Sequence, residues 1–306
     1  MLKNKTILLT GGTGFLGSNL LNYLANNKSL KIIVLKRSFS NTSRIYKFLD
    51  NTNIIFYDCD KVNLENIFKT HKIDAIIHCA TEYGRTPNSI DKILEANLML
   101  PLKLLDLSVK YCVNVFINTD SYFNKENSSY SYLKDYSLSK KNLLSWLNIY
   151  SQKIKIINMR LEHIFGYNDN NEKFCKYVFN KIVSEQVPFL DMTYGDQKRD
   201  FIYIDDVIRA FEKALEYAFT YNFRLRNFDI GTGIATPIKD FVAYIAKLAG
   251  NNTKINYGAI PYREDEIMCS RADTIELLNL DFKPEYSYTD GIDKMFLEYK
   301  KENTNV

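Results

Sequence analysis

The sequence has few of the residues that bind metals or form disulfides, with three histidines and five cysteines in 306 residues. The cysteines (Cys59, Cys79, Cys112, Cys175 and Cys269) are widely spaced and contain no C-x-x-C pair. Together with the histidines they form no metal-ligand pattern. We therefore expect no metal site, and we expect the five thiols to be reduced core residues.

Long apolar runs and clusters of one charge are also missing. No apolar run approaches the roughly 18 residues that suggest a membrane helix, and the start of the chain shows no charged-then-apolar leader. The net charge of +4 comes from scattered side chains, so nucleic acid is not an expected partner. These absences predict a cytoplasmic protein that binds neither membranes nor nucleic acid.

The first half of the sequence does contain a regular alternation of strand-like and helix-like segments. Strand-like runs at 7–10, 31–35, 54–57, 75–79, 113–118 and 154–159 alternate with amphipathic segments. Two of those segments, 90–111 and 136–149, are typical of long helices, and Pro101 should kink or break the first. The alternation predicts an α/β protein with a doubly wound parallel sheet of the Rossmann type.

The regularity ends near residue 165. Shorter strands are expected at 201–204, 227–230 and 254–257, and helices at 173–183, 206–219, 237–249 and 290–300. We therefore predict a dinucleotide-binding domain over residues 1–165. A smaller α/β substrate lobe is predicted over residues 166–306, interleaved with the first domain.

A glycine-rich turn, TGGTGFLG at 10–17, separates the first strand from the first helix. Glycines at such a junction let the backbone turn tightly and let a pyrophosphate approach main-chain N–H groups at the helix start. The spacing fits either Gly12, Gly14 and Gly17 or Gly11, Gly14 and Gly17. Either register predicts a dinucleotide site.

The end of the second strand indicates which dinucleotide binds. An NAD site would have Asp or Glu there, whereas this chain has Lys36, Arg37 and Ser38. A guanidinium pairs with a 2′-phosphate, so these residues favour NADP(H), although they would also suit a solvated basic turn. Asp58 ends the third strand, where it could accept from the adenine amino group or form a turn.

Tyr136 and Lys140 form a Y-x-x-x-K pair on one face of a predicted helix. In a ketone reductase the phenol protonates the carbonyl oxygen, and a nearby ammonium lowers the pKa of the tyrosine. The same spacing recurs at Tyr57/Lys61, Tyr130/Lys134, Tyr177/Lys181 and Tyr194/Lys198. Position favours Tyr136, with Tyr130/Lys134 as the main competitor.

Thr119 lies in the sequence NTDS at 118–121, where the fifth strand should end. Its hydroxyl would face the same crevice as Tyr136 and could hold a substrate carbonyl, although Thr119 could also be a simple turn residue.

Arg199 and Arg263 lie near turns in the second half. Their guanidinium groups suit a diphosphate, and their alternative role is a surface ion pair.

These features together resemble the extended short-chain dehydrogenase/reductase family, the NAD-dependent epimerase/dehydratase enzymes of nucleotide sugars. Within the family the chain is most similar to NADPH-dependent reductases of 4-keto-6-deoxy sugar nucleotides. The resemblance spans essentially the whole chain. It is carried by ATEYG at 80–84, NTDS at 118–121, MRLEH at 159–163, RDFIY at 199–203, DD at 205–206, GAI at 258–260, Arg263, and EIM at 266–268.

The resemblance implies a set of site residues. It selects the register of Gly11, Gly14 and Gly17 and implies that Thr119, Tyr136 and Lys140 are catalytic, with Asn97 supporting the site. The expected cofactor-binding residues are Gly11, Thr13, Gly14, Phe15, Leu16, Gly17, Arg37, Asp58, Ala80, Thr81, Tyr136 and Lys140. The expected substrate-binding residues are Glu82, Tyr83, Asp120, Ser121, His163, Arg199 and Arg263.

The resemblance also implies an activity, with two departures. The Thr-Asp-Glu triplet of the 4,6-dehydratases is Thr119, Asp120 and Ser121 here, which removes the base that dehydration needs. His163 replaces an asparagine found in many members. The predicted reaction is NADPH-dependent reduction of the C4 ketone of a CDP-, GDP- or dTDP-linked 4-keto-6-deoxy sugar, in the synthesis of surface polysaccharide such as lipopolysaccharide O-antigen or capsule.

NADH is the less favoured cofactor. A homodimer is implied through the helices at 90–111 and 136–149. The alternatives are a nucleotide-sugar epimerase with tightly bound NAD and, from another class, a non-catalytic protein that senses NADPH or acts as a scaffold.

Overall fold

The computed structural model describes residues 2–84, 90–125 and 133–304, which form two compact units. The first unit contains the described residues up to 160 together with Ala210–Phe228. The second contains Leu161–Arg209 and residues 229–304. The chain therefore leaves the first unit after Arg160 and returns to it for 19 residues, counted from 210 to 228.

The strands are β1 (Thr6–Thr10), β2 (Lys31–Lys36), β3 (Ile54–Asp58), β4 (Ala75–His78), β5 (Val115–Ser121), β6 (Lys155–Leu161), β7 (His163–Phe165), β8 (Phe189–Met192), β9 (Lys198–Arg199), β10 (Phe201–Tyr203), β11 (Leu225–Ile230), β12 (Thr236–Pro237) and β13 (Lys254–Tyr257). The α-helices are α1 (Phe15–Ala25), α2 (Leu64–Thr70), α3 (Ile90–Leu94), α4 (Leu100–Lys110), α5 (Lys134–Tyr150), α6 (Phe174–Phe179), α7 (Ile204–Thr220), α8 (Ile238–Ala249) and α9 (Tyr288–Thr304).

A seven-stranded sheet in the order β3-β2-β1-β4-β5-β6-β11 forms the framework of the first unit. The pairs β2/β3, β1/β2, β1/β4 and β4/β5 are parallel. Residues Ile7, Leu8 and Leu9 of the central strand are fully buried, as in a sheet covered on both faces. The predicted doubly wound Rossmann sheet is confirmed.

The strand order reverses direction between β1 and β4. In an open α/β sheet, ligands bind outside the carboxyl ends of the strands at such a reversal. β1 ends at Thr10, directly before the glycine turn, and β4 ends at His78, directly before Cys79 and Ala80. The fold therefore puts the two predicted cofactor segments at one edge of the sheet.

The helix expected at 90–111 continues past Pro101. A π-helical turn, Glu95–Met99, joins α3 to α4. Proline cannot donate a backbone hydrogen bond and crowds the carbonyl four residues earlier, which is that of Asn97, and a π-helical turn changes the backbone spacing there. The expected interruption thus takes the form of a widened turn, and its residue Asn97 is fully buried.

The second unit contains three two-stranded sheets, β7/β10, β9/β12 and β8/β13. Aromatic side chains form much of its core. Phe201 stacks on Phe241 with ring centroids 4.3 Å apart, and Phe165 meets Phe241 edge-on at 5.4 Å. The core is therefore built from short strands and one face of α8.

All five cysteines are free thiols. The expectation that they are core residues is wrong for Cys112 and Cys269, which are exposed. Cys112 lies in the turn after α4 with a positive φ of 54°, and Cys269 lies in a loop. In the part of the chain that the structure describes, no helix is long and apolar enough to cross a membrane.

Candidate active site

The glycine turn is shaped by close backbone approaches at two of its glycines. Gly11 has a φ of +69°, and a Cβ there would lie 2.6 Å from the backbone N of Ala80. A Cβ on Gly17 would lie 2.1 Å from the carbonyl oxygen of Gly11. Gly14 donates its N–H to that same oxygen at 2.9 Å. The geometry therefore fits the register of Gly11, Gly14 and Gly17.

Helix α1 begins directly after this turn with a terminus suited to an anion. Its N-cap is Gly14, which makes no side-chain cap hydrogen bond, and no acidic residue lies in the first turn, where Phe15 and Leu16 stand. The first N–H groups of a helix carry partial positive charge and need acceptors. The turn at Thr13 and Gly14 and this helix start fit the pyrophosphate of an NAD(P) cofactor.

The residues after β2 and β3 would lie on the adenosine side of such a cofactor. Arg37 is exposed, and its guanidinium carbon lies 4.9 Å from the ring centroid of Phe39. Lys36 forms an ion pair with the carboxylate of Asp58. An adenine amino group would therefore have to share the Asp58 carboxylate with the Lys36 ammonium. The Arg37 side chain, in contrast, is exposed at the end of β2.

The segment after β4 is held by Asn97 from the π-helical turn. The Asn97 Oδ1 accepts hydrogen bonds from the Glu82 N–H at 2.8 Å and from the Thr81 hydroxyl at 3.2 Å. Its Nδ2 donates to the Glu82 carbonyl at 2.8 Å and to the Ser139 hydroxyl at 3.0 Å. Asn97 thus ties the segment at 81–82 to helix α5, which carries the predicted catalytic pair.

The structure brings Thr119, Tyr136 and Lys140 together. Tyr136 and Lys140 lie one turn apart on α5, and both are buried. Lys140 donates from Nζ to the carbonyl oxygen of Thr119 at 2.9 Å. The Thr119 hydroxyl donates to the Cys79 sulfur at 3.4 Å. These contacts hold the Lys140 ammonium against the strand end of Thr119, and Tyr136 lies one turn before Lys140 on the same helix. A phenol, a hydroxyl and an ammonium are the set that a ketone reductase uses.

Two predicted substrate residues lie beside the Tyr136 phenol. Tyr83 stacks on Tyr136, with ring centroids 4.8 Å apart and planes 27° apart. Ser121 lies near the Tyr136 phenol, whose pKa its side chain lowers. The competing residue Tyr130 lies outside the described residues, and the pairs at Tyr177 and Tyr194 belong to the second unit.

Burial controls the charges of this cluster. Burial raises the pKa of Tyr136 well above its ordinary value, with Tyr83 and Asp120 adding to the rise. Burial lowers the pKa of Lys140, and the neighbouring Asp120 opposes that shift. The pKa of Tyr136 is thus raised overall and not lowered as the sequence predicted, because desolvation of the phenol is the largest effect.

A buried polar network around Asp120 was not predicted from the sequence. Its Oδ1 accepts from the Ser121 N–H at 2.8 Å and from Asn124 Nδ2 at 2.7 Å. Its Oδ2 accepts from Asn158 Nδ2 at 2.9 Å. Asp120 is only 3% exposed, and its two carboxylate oxygens are bonded to groups of the protein. The available signal was a polar residue, Asn158, inside the apolar run of β6.

In the second unit, Arg199 is paired internally. Its guanidinium forms an ion pair with Glu266 and donates to the backbone carbonyls of Lys198 and Ile267. The Arg199 residue is 6% exposed, whereas Arg263 lies exposed in the loop after β13. Of the two arginines predicted to hold a diphosphate, one is thus a buried ion-pair partner and one is at the surface.

His163 opens β7 beside a buried acidic residue. Its Nδ1 lies 3.7 Å from the Glu162 carboxylate, which also accepts a hydrogen bond from the Ser270 hydroxyl at 2.7 Å. Burial lowers the pKa of His163, and Glu162 opposes that shift. A neutral imidazole beside a carboxylate can donate or accept a hydrogen bond in a binding site.

The comparisons with known proteins agree with this geometry. The model of the NAD dependent epimerase/dehydratase family matches residues 7–224. The chain is 37% identical over 295 residues to CDP-abequose synthase of Salmonella muenchen, covering 95% of this chain and 97% of the relative. It is 32% identical over 293 residues to CDP-abequose synthase of Salmonella typhimurium, covering 94% and 96%.

Solved structures share the fold at lower sequence identity. The UDP-glucose 4-epimerase of Thermotoga maritima with UDP-glucose aligns with a TM-score of 0.82 at 22% identity, covering 98% of this chain and 99% of that one. The UDP-glucuronic acid 4-epimerase of Bacillus cereus, in complex with UDP-glucuronic acid and NAD, aligns with a TM-score of 0.81 at 22% identity, covering 97% and 99%. The chain therefore belongs to the NAD dependent epimerase/dehydratase family and is an NAD(P)-dependent oxidoreductase that modifies nucleotide sugars.

Proposed function

We propose that the enzyme uses NADPH to reduce the C4 ketone of a nucleotide-linked 4-keto-6-deoxy sugar. The observation that carries the proposal is the environment of Tyr136, a buried phenol that lies near Ser121 where a dehydratase has a carboxylate base. The similarity to two CDP-abequose synthases supports a CDP-linked substrate first, with GDP- and dTDP-linked sugars as alternatives.

The chain's own groups suffice for the proton chemistry of a reduction. Bound NADPH would supply hydride to the ketone carbon. Tyr136 then gives its proton to the developing alkoxide, and the Thr119 hydroxyl turns from the Cys79 sulfur to the ketone oxygen and positions it. A phenol with a raised pKa stays protonated at neutral pH, which is the form that a proton donor needs.

Lys140 supports this step through the backbone. Its Nζ holds the carbonyl of Thr119 at 2.9 Å, which fixes the strand end that carries the hydroxyl. Its positive charge also stabilises the phenolate left after proton transfer. Because Lys140 is buried, little solvent screens that charge.

Two features support reduction over the other activities of the fold. Dehydration needs a base to remove a proton from the sugar, and position 121 holds serine while Asp120 is bonded on both oxygens inside the protein. An epimerase of this fold would oxidise and reduce its sugar in turn with retained NAD. The exposed Arg37, in place of an acidic residue, supports exchangeable NADPH instead.

The second unit supplies the groups proposed for the nucleotide sugar. Arg263 is exposed and can meet a diphosphate directly, and His163 is proposed to bind the nucleotide sugar as well, whereas Arg199 is held by its ion pair with Glu266. The product would enter surface-polysaccharide synthesis. The cytoplasmic location stays a prediction from the sequence.

A homodimer is part of the proposal. Large apolar side chains are exposed on the helices expected to pair, namely Ile90, Leu94, Met99, Leu138, Trp146 and Ile149. Contiguous exposed apolar groups on neighbouring helices are typical of a protein interface. Light scattering of the purified protein should therefore give twice the chain mass of 35.7 kDa.

The test is turnover of defined substrates. Purified enzyme with NADPH and a panel of CDP-, GDP- and dTDP-linked 4-keto-6-deoxy sugars should consume the reduced nicotinamide with at least one of them, and should do so more slowly with NADH. Loss of activity with every ketosugar would contradict the proposal. Tightly bound NAD released on denaturing the purified protein would favour the epimerase.

A further inference from the structure

A chain of buried side chains lies behind the catalytic strand end, with Asn158 at its centre. Asn158 is fully buried on β6. Its Oδ1 accepts from Asn118 Nδ2 at 2.7 Å, and its Nδ2 donates to Asp120 Oδ2 at 2.9 Å and to Asn227 Oδ1 at 3.0 Å. Asn158 therefore satisfies its own amide and supplies one of the hydrogen bonds that the Asp120 carboxylate receives.

The hydrogen bonds around Asp120 suit an anchor. Both oxygens face N–H donors, from Ser121, Asn124 and Asn158, at 2.7 to 2.9 Å. Three N–H donors stabilise the charged form of the carboxylate, because an ionised carboxylate accepts stronger hydrogen bonds than a protonated one. Burial raises the pKa of Asp120, and Lys140 together with these three hydrogen bonds opposes that rise by stabilising the ionised carboxylate that holds its neighbours.

What Asp120 holds is the wall beside the catalytic phenol. Its Oδ1 fixes the Ser121 backbone, and the Ser121 hydroxyl accepts from the Phe123 N–H at 3.3 Å and lies near the Tyr136 phenol. The Phe123 ring meets Tyr136 edge-on, with centroids 6.2 Å apart. A shift at Asp120 would therefore move two groups that touch Tyr136.

We infer that Asp120 and Asn158 are a positioning pair that sets the Ser121 hydroxyl against Tyr136, and that Asp120 is not a proton donor in the reaction. The inference rests on the proposed reductase function, because it assigns a role to Asp120 in that chemistry. It predicts that the pair needs one carboxylate and one amide, and that the carboxylate can stand at position 120 or at position 158.

A swap of the two side chains tests this directly. In Asp120→Asn an amide N–H faces the Asn158 N–H, and in Asn158→Asp two carboxylates face each other. Each single variant therefore places two donors or two acceptors against one another. The double variant D120N/N158D restores a donor-acceptor pair. In it the amide oxygen introduced at position 120 can still accept from Ser121 and Asn124. The carboxylate introduced at position 158 can accept from Asn118, and the Asn227 amide can flip to donate to it.

Each single variant should lower kcat by about 10- to 100-fold, as expected for coupled contacts, with an unchanged KM for NADPH. The double variant should recover to within about 3-fold of the wild type. Asn53→Asp, the same chemical change at an exposed position, is the control and should leave kcat unchanged. Melting temperatures should follow the same pattern, lowered in each single variant and restored in the double.

Two results would overturn the inference. If D120N retains the wild-type kcat, the pair is not needed. If the double variant regains its melting temperature but stays as slow as D120N, the charge at position 120 acts on the reaction itself. Should the wild type reduce no ketosugar, the proposed function fails instead, and the melting temperatures, which need no substrate, still show whether the two side chains form a pair.

Discussion

The proposed catalytic cluster of the first unit (Thr119, Tyr136 and Lys140) and the two arginines of the second (Arg199 and Arg263) differ in the environment of their charged groups. In the first unit Tyr136 and Lys140 are buried, and Lys140 fixes the Thr119 backbone while the Tyr136 proton stays available. In the second unit Arg199 is buried in a salt bridge with Glu266, and Arg263 is exposed. A charged side chain in a predicted site can therefore either take part in the chemistry or support the structure around it.

The largest expected effect comes from removing the proton donor. Tyr136→Phe keeps the ring stacked on Tyr83 but deletes the phenolic proton, so kcat should fall by about 1,000-fold while the Kd for NADPH is retained. Steady-state kinetics and a cofactor titration measure the two quantities. Tyr177→Phe, in a Y-x-x-x-K pair on the exposed side of α6, is the matched control and should change neither. Wild-type kcat in Tyr136→Phe would assign the proton to another group.

Substitution of Arg199 should lower the stability of the protein, whereas substitution of Arg263 should weaken the binding of the nucleotide sugar. Arg199→Ala leaves the Glu266 carboxylate without its partner, and breaking a buried ion pair costs about 3–5 kcal/mol of the free energy of unfolding. Arg263→Ala removes an exposed side chain and should leave that free energy within about 0.5 kcal/mol of the wild type. Its KM for the nucleotide sugar should rise about 10-fold. Denaturant titrations measure the free energies of unfolding, and substrate kinetics measure the KM values. Equal destabilisation by both variants would contradict the expected difference between a structural and a binding arginine.

The glycine turn offers a graded test of the cofactor cradle. Gly17→Ala would place a methyl group 2.1 Å from the Gly11 carbonyl oxygen, whereas Gly14→Ala would place one at 3.3 Å from the same atom. Overpacking against backbone should cost Gly17→Ala about 2–3 kcal/mol of the free energy of unfolding. Gly14→Ala should cost less than about 1 kcal/mol. Thermal melts without cofactor compare the stabilities of the two variants. A larger loss in Gly14→Ala than in Gly17→Ala would contradict the described close approach of Gly17 to the Gly11 carbonyl.

An effect much smaller than that of Tyr136→Phe is expected at the adenosine end. Arg37→Ala should weaken NADPH binding by about 10-fold, since one charge-assisted contact to a phosphate is lost, and should leave NADH binding unchanged. Calorimetric titration with the two cofactors makes NADH the internal control. Equal weakening of NADPH and NADH binding would show that Arg37 supports the fold of the turn and does not bind the 2′-phosphate.

Local patterns in the sequence predicted much of the framework. The apolar runs of β1 to β6 and the glycines between β1 and α1 depend on neighbours close in sequence, so a pattern reveals them. The pairing of Arg199 with Glu266, 67 residues apart, and of Asp120 with Asn158, 38 residues apart, depends on the tertiary fold. Similarly, the raised pKa of Tyr136 follows from burial, which the Y-x-x-x-K spacing does not encode.

The most direct test of the proposed reduction follows the hydrogen itself. NADPH carrying deuterium at the transferable position of the nicotinamide should be oxidised in equal amount to the product formed from a CDP-linked 4-keto-6-deoxy sugar. That product should carry one deuterium at C4, as read by mass spectrometry and NMR. A product formed without net oxidation of NADPH, or one without deuterium at C4, would contradict the assignment of this enzyme as a ketoreductase.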